Sequence, residues 1–162
     1  MEDPNNLLMQ QADGTFREAS IEAGVASLAR SRGAVLADLN LDGKLDLAVA
    51  NRRVPMEVYA NTTETDGHWL AVALQQPGPN SRAVGSWLDL KIGARVIVRE
   101  VTVGGTHASG VALPEHFGLG SAERAELRVT WPDGTTTDWL PVEANGTVLI
   151  RRVTDGVTQE RL

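Results

Sequence analysis

The chain has 162 residues, 42% hydrophobic and 4% aromatic, with four tryptophans and no cysteine; it is long enough to bury a core and has no disulfide framework, thiolate metal site or cysteine nucleophile. A formal net charge of −6 argues against a nucleic-acid partner, which needs a basic face opposite its phosphates. No run approaches the roughly 18 apolar residues of a membrane span, and the opening MEDPNNLLMQQ, with neither a basic nor an apolar signal region, reads as mid-domain sequence from which a natural N-terminal part, signal peptide included, is expected to be missing.

Along the chain, short alternating or apolar runs are punctuated by turn dipeptides: Asp13-Gly14, Asp42-Gly43, Asp66-Gly67, Gly104-Gly105, Asp133-Gly134 and Asn145-Gly146. This spacing predicts an all-β protein. Only 18–28 admits a helix, and its apolar spacing is loose and interrupted by Gly24, so none is assigned. Strands are predicted at 33–37, 45–50 and 57–60, then, beyond a polar connector at 61–67, at 69–75, 87–92, 95–103, 125–131, 136–140 and 147–152. The expected units are 1–66, a β domain at 67–153 and a C-terminal tail at 154–162. The first has too few strands for a sheet that can bury both of its faces, so it is expected to pack on something outside itself. The second has enough for a two-layer, sandwich-like domain. Acidity is local: residues 1–66 hold eleven acids against six bases, residues 67–162 ten against nine.

The acidic segment 38–46 carries a specific chemistry. Asp38, Asn40, Asp42 and Asp46 place oxygen side chains at positions 1, 3, 5 and 9, and Gly43 stands at position 6. A calcium ion takes six to eight oxygens, which alternate residues of a curled loop can supply while glycine makes the sharp turn. The main-chain carbonyl of Lys44 at position 7 would be a further ligand, its ammonium facing solvent. Three carboxylates within nine residues repel one another unless a cation lies between them. Position 12 is Val49 rather than the glutamate of an EF-hand, and the flanks GAVLA and LDLAVA are strand-like. The expectation is a strand-loop-strand Ca2+ site of modest affinity, on the order of 10⁻⁴ to 10⁻³ M. Leu39, Leu41, Leu45 and Leu47 alternate with the ligands and are expected to seat the segment's apolar side in a core.

These residues carry a resemblance. Asp13-Gly14-Thr15-Phe16, Ala23-Gly24-Val25, Ser31-Arg32-Gly33-Ala34, the loop 38–46 and Val49-Ala50-Asn51 resemble one FG-GAP/VCBS repeat of the integrin-α type, a calcium-bearing propeller blade. Asn80, Arg82-Ala83-Val84-Gly85, Ile92-Gly93-Ala94-Arg95-Val96, Arg99-Glu100-Val101, His116-Phe117-Gly118-Leu119-Gly120 and Val129-Thr130-Trp131-Pro132-Asp133-Gly134 resemble the ASPIC/UnbV domain, which follows such propellers in the cartilage acidic protein family. The stretch 86–91 departs from that pattern as an insertion. The resemblance implies the last blade of a truncated β-propeller followed by a small β domain. It also implies an extracellular, cell-surface or periplasmic setting, adhesion or matrix contact, the remaining blades as partners, and no catalytic residues.

Other features read more plainly. His116 is expected to fix a glycine-rich turn, and Gly118-Leu119-Gly120 to be a turn rather than a phosphate loop. His107 and Ser109 lack the ordered context of a catalytic triad, so no enzyme is expected. Trp69, Trp87, Trp131 and Trp139 are expected to pack in or beside strands, with sugar stacking as the other use of such rings. Asn61-Thr62-Thr63 and Asn145-Gly146-Thr147 match the glycosylation sequon. The function expected is a non-catalytic, calcium-structured interaction module contacting an unidentified protein or glycan, the alternative being a calcium-dependent carbohydrate-binding module.

Overall fold

A computed structural model describes residues 3–105 and 110–162; His107 and Ser109 lie outside the described residues. The described chain is all-β, with thirteen strands and no helix. It divides into two compact units, one holding residues 3–40, 44–62 and Gly110, the other Leu41–Gly43, Thr63–Gly105 and 111–162.

The first unit contains a hairpin of β1 (Leu8–Gln10) and β2 (Phe16–Glu18), and an antiparallel sheet of β3 (Ser31–Ala37), β4 (Asp46–Asn51) and β5 (Glu57–Tyr59) in the order β3-β4-β5. Residues 20–24, inside the only stretch that admits a helix, form turns. The buried apolar residues of this unit are few and small: Ala19, Val25, Ala37 and Val49. In the sheet, Leu47 stands opposite Leu36 on one side and Tyr59 on the other, and the next row sets Ala48 between Val35 and Val58, so the two rows face opposite sides. Leu36 is 58% exposed and Val58 53%. Apolar side chains therefore reach solvent on both faces of this sheet.

The second unit is built from two four-stranded sheets. One holds β7 (Trp87–Ile92), β8 (Arg95–Glu100), β10 (Arg124–Thr130) and β11 (Leu140–Glu143) in the order β11-β10-β7-β8. The other holds β6 (His68–Gln75), β9 (Glu115–Gly120), β12 (Gly146–Val153) and β13 (Gly156–Arg161) in the order β13-β12-β6-β9. Both sheets feed one core: Leu88, Leu90, Leu127 and Val129 from the first, Leu70, Val72, Phe117 and Ile150 from the second, with Trp131 just beyond β10. Inward residues alternate with outward ones, as two packed layers require. All pairings are antiparallel except β12 with β6, where Gly146 stands opposite Leu70 and Arg151 opposite Gln75.

Several expectations need correction. The stretch 115–120, read as a turn, is β9; pairing with β6 extends it, and Phe117 and Leu119 point inward while Gly118 and Gly120 face out. Residues 156–161, read as tail, form β13 on the edge of β12. The run 136–140 makes only a bridge from Thr136 to Thr130, and the strand begins at Leu140. The insertion-like 86–91 lies at the centre of its sheet, Trp87–Ile92 pairing in regular register with β8 and β10.

Candidate functional site

The loop 38–46 joins β3 to β4, the first two strands of the β3-β4-β5 sheet. Two left-handed residues give it its curl: Leu41 at φ 62° and Gly43 at φ 87°. For leucine this conformation is strained, whereas glycine adopts it freely. Asp38 and Lys44 are half-buried, Asn40 and Asp42 exposed, and Asp46 is buried.

Asp46 is the best defined of the five. Its Oδ2 accepts the Leu39 main-chain N–H at 3.0 Å, and its Oδ1 accepts the Asn61 N–H at 2.8 Å. Asn61 in turn donates from Nδ2 to the Leu45 carbonyl at 3.2 Å. One carboxylate thus closes the loop across its base and fastens the segment after β5 to it, which compensates the burial of its charge. Among the described residues, no group of three or more His, Cys, Asp or Glu is placed to hold a metal ion. The calcium reading rests on the all-oxygen donor set and its spacing.

The leucines between these positions do not seat in a core. Leu39 is 54% exposed and Leu41 84%, while Leu45 and Leu47 are half-buried. A left-handed residue at 41 breaks the strict alternation on which the expectation of a buried apolar side depended.

Inside the second unit Gly43 is closely surrounded. A Cβ at that position would lie 1.9 Å from Trp69 Nε1, so no other side chain fits there. His116 Nε2 lies 2.9 Å from the Gly43 carbonyl, which can only accept, so that ring nitrogen carries the proton. Trp69 and His116 stack with centroids 5.7 Å apart and an interplanar angle of 7°. His116 is therefore not a turn residue but a mid-strand donor opposite Ala71 of β6. Sequence reasoning missed this pair because nothing in the spacing of 43, 69 and 116 joins them.

The remaining tryptophans sit in or beside strands. Arg152 lies over the Trp131 ring at 5.4 Å, and Arg128 and Lys91 lie over Trp139 at 4.6 and 5.5 Å. Beneath Trp139 the outer face of the β7–β10 pair carries the ion pairs Arg128–Asp89 (2.6 Å) and Lys91–Glu126 (2.7 Å). Trp87, 46% exposed on the same face, is the ring most open to a ligand among the four. Glu115, at the start of β9, has its carboxyl pushed up by burial, with the Arg99 charge opposing.

Residues 76–156 match the family model described as ASPIC and UnbV. The chain is similar to cartilage acidic protein 1 of Mus musculus, 31% identical over 115 residues, which is 65% of this chain and 17% of that protein. Against the protein of the same name from Homo sapiens it is 42% identical over 57 residues, 35% of this chain and 9% of that protein. The Xenopus tropicalis protein is 31% identical over 111 residues, with 65% of this chain and 17% of that protein covered. The chain spans less than a fifth of the length of these curated relatives.

Proposed function

Because the chain belongs to the ASPIC and UnbV family through residues 76–156, we propose that it is a non-catalytic interaction module of an extracellular, matrix-type protein, with calcium in a structural role at the loop 38–46. The observation that carries this reading is the 31% identity to the mouse cartilage acidic protein 1 across 65% of the chain, which reaches beyond the family match itself.

In this reading the first unit is one FG-GAP/VCBS blade of a larger propeller. A three-stranded sheet with exposed Leu36 and Val58 on opposite faces suits an element meant to be flanked on both sides. Calcium binding would have Asp38, Asn40, Asp42, the Lys44 carbonyl and Asp46 supply oxygens to one ion and neutralise the local acidity. The ion would then hold the β3–β4 connection in one shape, with Asp46 also serving the two main-chain amides it already accepts.

Calorimetric titration with calcium tests the reading directly. The expected result is one site of sub-millimolar to millimolar affinity, with Asp42→Ala weakening it about tenfold or more and Asp13→Ala leaving it unchanged. No heat at millimolar calcium, or equal binding by Asp42→Ala, would sink the calcium assignment. The exposed Trp87 favours a second reading, calcium-dependent glycan binding. A glycan array run with and without calcium separates the two, the second predicting calcium-dependent signals that Trp87→Ala abolishes.

A further inference from the structure

Within the first unit, an open cleft of about 370 Å3 lies at the end of the β3–β4 ladder away from the loop 38–46, large enough for a small molecule. Its whole lining holds three cations, Arg30, Arg32 and Arg52, against one acid, Asp3. Residues 1–66 carry eleven acids and only six bases. Half of the bases of an acidic segment therefore meet at one place with a single one of its acids.

The ladder brings them together. The Arg52 N–H donates to the Arg30 carbonyl at 2.9 Å, one step outside the Ser31–Asn51 pair, so these two arginines stand opposite each other. A bulge between Ser31 and Gly33 leaves Arg32 without a register partner, on the same cleft. Like charges directly opposite on a ladder destabilise it. Yet none of the three makes an ion pair among the described residues. Arg32 Nη1 reaches only the Ser31 carbonyl, at 3.5 Å. Glu57, the acid nearest along the ladder, is taken up by Asn51, whose Nδ2 lies 2.9 Å from its Oε2. All three arginine side chains stand exposed, so their donors are open to a ligand. In the wall beside them Asn5, fixed by its N–H to the Ser27 carbonyl at 2.9 Å, has a buried Nδ2 with no partner among the described residues, a further positive dipole end that nothing offsets.

We propose that this cleft binds the phosphate group of a small phosphate monoester, held between Arg30, Arg32 and Arg52. Three guanidiniums and one carboxylate leave two positive charges, which match the dianion that a phosphate monoester is near neutral pH, and the planar fork of arginine suits its oxygens. The cleft is several times larger than a bare phosphate ion, and Leu28, 57% exposed, borders the remaining space for the ester's organic part. The site is separate from the acidic loop and needs no calcium.

Glucose 6-phosphate titrated into the full chain at constant ionic strength, followed by NMR of the amides and the arginine Nε–H groups, tests this. The expected result is saturable shifts at Ala29, Arg30, Arg32 and Arg52 by about 10 mM ligand, several-fold weaker with inorganic phosphate or with the monoanionic glucose 6-sulfate, and absent with glucose. Arg32→Gln and Arg52→Gln, both at exposed positions, should each weaken binding about tenfold. Arg53→Gln removes the same charge next door but outside the lining, and should leave binding unchanged. The site would be overturned by an absence of shifts, by shifts confined to other surfaces, by Arg32→Gln and Arg52→Gln binding like the parent, or by Arg53→Gln weakening binding equally. Glucose 6-sulfate binding as tightly would overturn the dianion, and inorganic phosphate binding as tightly would overturn the ester.

Discussion

Asp13 and Asp133 use one local device with different strength. Each is followed two residues on by a threonine, and each Oδ1 accepts both the Thr N–H and the Thr hydroxyl, at 2.9 and 2.6 Å for Asp13 and 3.1 and 2.7 Å for Asp133. Asp133 adds Arg152, whose Nη2 lies 2.8 Å from Oδ2. The Arg152 bond, then the Thr135 bonds, hold the Asp133 carboxyl far below the usual carboxylate range. A depressed folded value means that the stabilisation is present above the unfolded value of about 3.9 and is lost as pH falls through the folded one. Asp133→Asn should therefore flatten the acid limb of stability while changing little about the pH dependence above pH 5, as read by urea denaturation across pH 2 to 7. Gly43 makes a steric prediction. Gly43→Ala must leave φ 87° and displace Trp69, at an expected cost of about 2 kcal/mol or more by denaturant melts. Adding Trp69→Ala should recover the steric part, giving a non-additive double-mutant cycle.

Among the elements, what was legible in the sequence followed from alternation. Trp87–Ile92 reads as a strand because Leu88 and Leu90 alternate with Asp89 and Lys91, and it is one. Glu115–Gly120 does not, since two glycines disguise a strand whose identity comes from pairing with β6 rather than from propensity. Gly156–Arg161 is polar along most of its length, and only Val157 packs against the core, so nothing local marks it as the edge strand it is. Its difference from a tail can be measured. Deleting residues 156–162 should lower the melting temperature of the second unit by several degrees or more, because it uncovers the β12 edge and removes the Arg161 bonds to Ala144 and Asn145. A tail would have left it unchanged. The candidate loop was legible in its donor spacing, while the double use of Asp46 was not. One of its partners, Asn61, lies fifteen residues downstream, and spacing within a loop carries no information about what crosses its base.

At the scale of the molecule, the two units differ in what sustains them. The second has a sixteen-residue apolar core drawn from both of its sheets. Among its described residues the first has four small buried apolar residues and a sheet with exposed apolar side chains on both faces. If calcium is structural at 38–46, calorimetry should resolve two thermal transitions. Chelator should lower a transition in which the loop 38–46 takes part, and millimolar calcium should restore it. A single transition indifferent to chelator would remove the structural role assigned to the ion.

The parallel pairing of β12 with β6 has a consequence for how the chain is made. Gly146 pairs with Leu70 across most of the second unit's sequence, and β9, on the other flank of β6, cannot close the sheet without it. A chain leaving the ribosome must hold β6 without its β12 partner until residues 146–153 have emerged. Contacts this distant in sequence make folding slow, and they leave an apolar strand open to pairing with the wrong neighbour. Nascent chains stalled before residue 146 should therefore be protease-sensitive in β6, β7 and β10, and protection should arrive for both sheets together once β12 has emerged.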